Sequence, residues 1–195
     1  MATMVAAPAD SYPIRVSVAY PENLSRGLIF IKWLLAIPHF VILYFLQLAW
    51  QVVTFIAIFA ILFTKKYPEG LFKFSVGYRR WNLNNMAYVL LLRDEYPPFS
   101  LDAGQYPAAL EVDYPQDLNR WLPLIKWLLV IPNIIVAAVV MIVAIVLTFI
   151  AWFAILFTGK YPEGMFKFVV GALRWSERAN GYATLFTDKY PPFSL

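Results

Sequence analysis

Few residues of this sequence have the types and spacing that chemistry requires. The chain has one histidine, His39, and no cysteine, so thiolate chemistry is excluded and a histidine site would rest on a single ligand. Two glutamates recur beside basic residues: Glu69 with Lys66 and Arg80, and Glu163 with Lys160 and Arg174. Structural pairing explains them more simply than acid–base catalysis. No phosphate-binding glycine loop or nucleophile elbow occurs, so we expect no enzyme activity, no cofactor and no metal.

The histidine lies beside a proline inside an apolar segment. His39 follows Pro38, and the residues 94 positions later are Asn133 after Pro132. A proline within a helix removes one backbone hydrogen bond and clashes with the preceding turn. We therefore predict helix kinks at Pro38 and Pro132 and interpret the polar pair as part of them, not as ligands.

The composition points to a membrane. Apolar residues make up 61% of the 195 residues and charged residues 14%, against about 45–50% and 25% in soluble domains. Residues 28–64 and 128–158 form apolar runs longer than the roughly 18 residues typical of a membrane span. Residues 1–13 lack the basic and apolar segments of a cleaved signal peptide, so the first run should be retained. We predict a multi-pass protein of the cell membrane, the inner or plasma membrane of a bacterium.

The chain consists of two copies of one unit. A shift of 94 positions aligns residues 20–101 with 114–195 without a gap, and slightly more than half of the pairs are identical. The copies share the blocks Lys-Trp-Leu-Leu, Ile-Pro, Ala-Ile-Leu-Phe-Thr, Tyr-Pro-Glu-Gly and Tyr-Pro-Pro-Phe-Ser-Leu. Such a long, regular repeat indicates duplication. We place the two membrane repeats at 14–101 and 108–195.

These repeated blocks resemble the bacterial membrane family called domain of unknown function 4389. The resemblance covers nearly the whole chain. Lys65 departs from the pattern, because the matching position holds Gly159, and this change affects the end of a helix. The family implies an uncharacterised membrane protein and supplies no reaction, substrate or binding residue.

Each unit predicts a short strand followed by a helix that enters the membrane. Residues alternate between apolar and polar types at 14–20 and 110–114, which indicates half-buried strands. The next helix starts with basic residues and tryptophan, as is typical of the headgroup layer. Basic residues flank the apolar runs, so the net charge of +4 favours anionic lipid over nucleic acid. The candidate headgroup contacts are Arg26, Lys32, Lys73, Arg80, Arg120, Lys126, Lys167 and Arg174.

The segment after Tyr-Pro-Glu-Gly carries too many charges to cross lipid. At 3.6 residues per turn, Lys73 and Arg80 share one side, and Phe72 and Val76 lie opposite. This pattern predicts an amphipathic helix in the membrane interface. Residues 87–92 and 182–186 also suit a strand, with Asn180 and the following glycine as a turn signal.

The number of crossings is the open point of the predicted fold, which is mainly α. A single helix of about 36 residues would be about 54 Å long, against a hydrocarbon core of about 30 Å. A direct repeat favours an even number of crossings per unit, so we prefer a membrane hairpin in each and four segments in all. No glycine or proline marks a turn at 48–52 or 142–146. The alternative is one long kinked helix per unit, with the two copies inverted.

Function follows from this architecture only as an expectation. We expect a non-enzymatic membrane protein that serves as an accessory or scaffold subunit or as a lipid-associated membrane organiser. Anionic lipids are the expected partners, and other membrane subunits or a second copy are further candidates. The alternative is a small transporter or channel component with a path between the two repeats.

Overall fold

The computed structural model describes Met4–Val5 and residues 12–195. Most of residues 1–13, on which the expectation of a retained first segment depends, lie outside the described residues. The protein is mostly helical with one small sheet. In chain order the elements are β1 (Met4–Val5), β2 (Ile14–Ala19), a 3-10 helix (Leu28–Phe30), α1 (Lys32–Leu35), α2 (Ile37–Thr64), α3 (Glu69–Val89), β3 (Ala108–Val112), α4 (Leu122–Leu129), α5 (Ile131–Thr158) and α6 (Glu163–Ala183).

Each apolar run contains one long uninterrupted helix. Helices α2 and α5 each contain 28 residues and continue through 48–52 and 142–146. The preferred hairpin with four membrane segments is therefore wrong. Neither stretch contains a residue that would favour a turn over the next helical hydrogen bond. One long helix per unit, the alternative prediction, agrees with the structure.

The two prolines begin helices instead of kinking them. The chain leaves the helix for one residue at Ala36 and at Val130, and α2 and α5 start directly afterwards. Pro38 and Pro132 thus lie in the first turn of their helices. A missing N–H at this position breaks no hydrogen bond within the new helix. The predicted interior kinks are accordingly breaks between α1 and α2 and between α4 and α5.

The two strands of the repeat pair with each other. Strands β2 and β3 are antiparallel, Val16 faces Leu110, and β1 adds a short third strand to β2. Leu110 is the residue 94 positions after Val16, so the pairing is centred on two equivalent residues. A two-fold axis perpendicular to the sheet therefore passes between them and relates the repeats.

The axis makes the long helices antiparallel. The backbone N–H of Leu24, before α1, donates to the carbonyl of Gly159 at the end of α5, at 2.8 Å. The equivalent N–H of Leu118 donates to the carbonyl of Lys65 at the end of α2, at 2.9 Å. Each apolar segment therefore begins where the other ends, so the two copies run in opposite directions.

The elements form three layers. Helix α3 packs on β3 and α6 packs on β2, so each helix covers the strand of the other repeat. On their other side α3 contacts α2 and α6 contacts α5. One core cluster contains residues of both repeats, including Val16, Phe72, Leu110 and Phe166. The layer order is α2 and α5, then α3 and α6, then the sheet.

The burial of the middle layer differs from the prediction that α3 and α6 are amphipathic helices lying in the membrane interface. Helix α3 has 11 buried residues and α6 has 13, out of 21 in each. Both helices are enclosed between two layers, so most of the predicted polar side contacts protein. Their helical geometry extends to Val89 and Ala183, so residues 87–92 and 182–186 form no strand.

Candidate membrane-binding surface

The outer sides of α2 and α5 form a broad exposed apolar surface, which we call the apolar face. Each helix buries one narrow stripe, which in α2 consists of His39, Leu43, Ala57 and Ile61. The remaining side chains are exposed or half-buried, with exposures of up to 77% for Phe63 in α2 and 72% for Phe157 in α5. The exposed large residues near the middle of the helices include Leu48, Val52, Phe55, Phe59, Val139, Ile142, Ile145, Phe149 and Phe153.

Length and composition suit these helices to a membrane. Among the described residues, Lys32–Thr64 and Ile131–Thr158 are long and apolar enough to cross one. The core helix of a soluble protein can match these two properties, but such a helix is mostly buried. Here only 17% and 22% of the most apolar 18-residue stretch of each helix is buried within the protein. An exposed apolar surface of this extent marks an interaction site.

Tryptophans stand at the ends of the apolar face. Trp33 and Trp127 are largely exposed, and each indole N–H donates to a carbonyl one turn earlier, of Phe30 and of Leu124, at 2.7 Å. Because the only donor of each ring is satisfied within the protein, both rings can enter an apolar environment without losing a hydrogen bond. This arrangement suits the boundary of a membrane.

Two lysines predicted to contact headgroups lie in the interior. Lys32 and Lys126 are each 1% exposed. The ammonium of Lys32 lies 2.7 Å from Asp94 and donates to the carbonyl of Arg93 at 2.7 Å. Lys126 repeats this contact with Asp188 at 2.6 Å, and burial lowers the pKa of its ammonium against the opposing effect of Asp188. For both lysines the headgroup prediction is wrong, because each ammonium is buried and paired with a carboxylate. The partner lies 62 positions further along the chain, so its contact is not visible in the local sequence.

Two of the predicted arginines also bond within the protein. Arg80 donates to the carbonyls of Leu101 and Leu110, at 3.0 and 3.3 Å. Arg174 is buried and donates to the carbonyl of Val16 at 3.3 Å. Each arginine thus reaches from the middle layer to the central residue of a strand. The headgroup prediction is wrong for Arg174, which is buried, whereas for the half-buried Arg80 it stays a prediction.

Four predicted basic residues remain exposed. They are Arg26, Lys73, Arg120 and Lys167. Lys73 and Lys167 lie 3.9 and 3.6 Å from the glutamates four residues earlier, Glu69 and Glu163. Such exposed pairs contribute little to stability and leave the lysines accessible.

The histidine and its asparagine counterpart have the same role. The indole N–H of Trp81 donates to Nδ1 of His39 at 2.9 Å, and that of Trp175 donates to Oδ1 of Asn133 at 2.9 Å. His39 also stacks on Phe99, with ring centroids 4.1 Å apart. Both side chains therefore join the long helix to the middle layer. The sequence signal for this role is that each tryptophan follows its acceptor by 42 positions in both copies.

A buried ion pair breaks the symmetry between the repeats. Arg79 contacts Glu177 through two hydrogen bonds of 3.0 and 2.7 Å. Burial raises the pKa of the Glu177 carboxyl against the opposing effect of Arg79. The repeat counterparts are Leu173 and Leu83, which both belong to the core. Sequence reasoning missed this pair, although two reciprocal exchanges of leucine for a charge were its signal.

The described residues contain no group of three or more metal-ligating side chains. A groove of about 510 Å³ runs between the repeats beside the apolar face. It is lined mainly by apolar side chains, among them Ile29, Trp33, Met86, Phe149 and Trp152.

A two-copy repeat of this kind, with one long apolar helix in each copy, defines the class of the protein. The family model described as "Domain of unknown function (DUF4389)" matches residues 26–100 and 121–194. The chain belongs to this family and contains two tandem copies of its domain. No curated protein and no solved structure matches the chain.

Proposed function

We propose that this protein is a non-enzymatic membrane protein that binds lipid through its apolar face and organises the lipid around it, alone or as an accessory subunit. The observation that carries the proposal is the apolar face itself. Its exposed side chains come from both ends and the middle of two helices, and they include no charged residue and, in the middle of α2, the two polar residues Gln47 and Gln51. Lipid acyl chains are the partner that matches a surface so large and uncharged.

A transporter or channel component is the rival function. It would need polar groups lining a path between the repeats at the depth of the apolar helices. The groove found between the repeats is chiefly apolar, and the lysine in it, Lys32, is paired with Asp94. These features support a lipid-binding role over a transport role.

The exposed cations add a preference for anionic headgroups to this proposal. Arg26, Lys73, Arg120 and Lys167 lie near the ends of the helices, and each is worth about 1 kcal/mol of attraction at an anionic surface. Replacing all four by Gln should weaken retention of phosphatidylglycerol by up to about 4 kcal/mol, less what salt screens away. The matched control is Arg15→Gln, which removes a cation from the sheet.

The experiment is reconstitution of the purified chain into vesicles with and without phosphatidylglycerol. The protein should float with the vesicles after washing with high salt and with alkaline carbonate, because apolar contacts hold it. A lipid-order probe should report tighter acyl packing as the protein content rises, with no passage of an entrapped dye. Release by carbonate would contradict membrane integration, and dye passage would favour the transporter.

Two topologies fit such helices. As a multi-pass protein the chain would cross the bilayer with α2 and α5 antiparallel. Alternatively both helices would lie within one leaflet. The choice depends on what the other two layers would present to lipid.

A further inference from the structure

We infer that the protein lies flat in one leaflet, with α2 and α5 parallel to the membrane plane and the sheet facing water. This inference rests on the proposed binding of lipid by the apolar face and replaces the predicted multi-pass topology. It follows from the position of the two-fold axis and from the charges on the outer face of the sheet.

The axis ties each topology to one orientation of the whole molecule. Helices α2 and α5 are antiparallel and equivalent, so the axis is perpendicular to both. If they crossed the bilayer, the axis would lie in the membrane plane at mid-depth. If they lie flat, the axis points along the membrane normal. The axis passes between Val16 and Leu110, so the centre of the sheet would lie at mid-depth in the first case and above the membrane surface in the second.

The outer face of the sheet is charged close to the axis. Arg15 and Glu111 are paired neighbours of Val16 and Leu110, and their side chains lie 3.2 Å apart. Asp113 joins them at 2.7 Å from the Arg15 guanidinium. The side chains of Glu111 and Asp113 are 68% and 57% exposed. The apolar side of the same strands, including Val16 and Leu110, is buried against the middle layer.

Crossing would place these charges in the hydrocarbon. The axis passes through the centre of the sheet and relates α2 to α5, so the sheet would lie at the same depth as the middle of this helix pair. Three ionised side chains would then face lipid at mid-depth, where each is costly and where backbone at a sheet edge also lacks partners. Lying flat avoids both costs, because the sheet is then the layer furthest from the membrane.

The flat orientation also matches the order and thickness of the layers. An α-helix with side chains is about 10–12 Å wide, which fits within half of a hydrocarbon core of about 30 Å. The middle layer then lies at headgroup depth, and its exposed lysines, Lys73 and Lys167, meet the phosphates there. A helix of 28 residues is about 42 Å long, which exceeds the core when upright but meets no limit in the plane.

The absence of cysteine allows a direct test. Lys66 and Lys160 are exposed and follow the ends of α2 and α5, so they lie at opposite ends of the molecule. The double variant Lys66→Cys with Lys160→Cys is reconstituted into sealed vesicles and treated with a membrane-impermeant maleimide. Intact-mass spectrometry then counts the labels on each molecule.

The two topologies give different counts whatever the direction of insertion. A flat protein carries two labels when it lies on the outer leaflet and none when it lies on the inner leaflet. A crossing protein carries one label on every molecule, which would overturn the inference. The separate variant Ser17→Cys places a thiol on the outer face of the sheet. The fraction of its molecules that is labelled should equal the fraction of the double variant that carries two labels. Protection of Ser17→Cys from the reagent would also overturn the inference.

A separate variant distinguishes failure of the proposed function from failure of the inference. Val52 lies at the middle of the apolar face. Val52→Cys should react with a lipid-soluble maleimide and resist the impermeant one in both topologies. Reaction with the impermeant reagent would show that the apolar face is not in lipid and would overturn the proposed function itself.

Discussion

Val16 faces Leu110 across the sheet, and the two occupy equivalent positions in the two repeats. This one pairing places the two-fold axis and therefore determines that the long apolar helices oppose each other. It also explains why the contacts between repeats occur twice, as when Tyr20 donates to the carbonyl of Tyr161 and Tyr114 donates to that of Tyr67. The duplicated unit is thus built to pack against its own copy.

The ion pairs of the buried lysines, Lys32 with Asp94 and Lys126 with Asp188, should be important for stability. Asp188→Asn leaves the Lys126 ammonium buried without its carboxylate, and we expect a loss of about 2–3 kcal/mol, since Asp188 is partly exposed. Thermal unfolding in mild detergent measures it. Glu163→Gln, which removes an exposed partner of Lys167, is the control and should change stability by less than about 1 kcal/mol. Equal effects of the two variants would contradict a stabilising role of the buried ion pair between Lys126 and Asp188.

His39, which accepts a hydrogen bond from Trp81, should be replaceable by asparagine but not by leucine. His39→Asn reproduces the group that accepts from Trp175 in the other repeat, so the melting temperature should change little. His39→Leu leaves the buried Trp81 N–H without its acceptor and should cost about 1–3 kcal/mol. Asn133→Leu should show a comparable loss by the same melting measurement. A stable leucine variant would show that this hydrogen bond is dispensable.

The end of α2 should gain stability from glycine. Lys65 and Gly159 both adopt the left-handed conformation, with φ of 62° and 73°. This conformation is unfavourable for a residue with a Cβ, so Lys65→Gly should stabilise the protein by about 1 kcal/mol. The matched reverse change, Gly159→Lys, should destabilise it by about as much. Chemical denaturation of both variants tests the sign, and a destabilised Lys65→Gly would contradict the argument.

The asymmetric ion pair should be replaceable by the residues found at its counterparts. Glu177→Leu alone leaves Arg79 buried without a carboxylate and should cost about 3–5 kcal/mol. Adding Arg79→Leu makes the site resemble Leu83 and Leu173 and should restore most of this loss, since a well-packed apolar pair is often as stable as a buried ion pair. A double-mutant cycle of unfolding free energies measures the recovery. A double variant no better than Glu177→Leu would show that the site cannot pack leucine.

Sequence patterns by themselves determined the repeat, the family, the short strands and the apolar character of two long segments. These properties depend on local composition and on the match between residues 94 positions apart, so tertiary contacts are not needed to find them. The exposed cations Arg26, Lys73, Arg120 and Lys167 were also found in this way, because they flank the apolar runs.

Only the tertiary structure decided that each apolar run contains one long helix, that the repeats oppose each other and that Lys32 and Lys126 are buried. The partner of Lys32 is Asp94 and the partner of Arg79 is Glu177, 62 and 98 positions away. Periodicity reports which side of a helix is apolar, but not whether protein or lipid covers the other side. The pairing of Val16 with Leu110 closes the two repeats around one axis, and that closure brings Arg79 to Glu177, whereas Lys32 meets Asp94 within its own repeat.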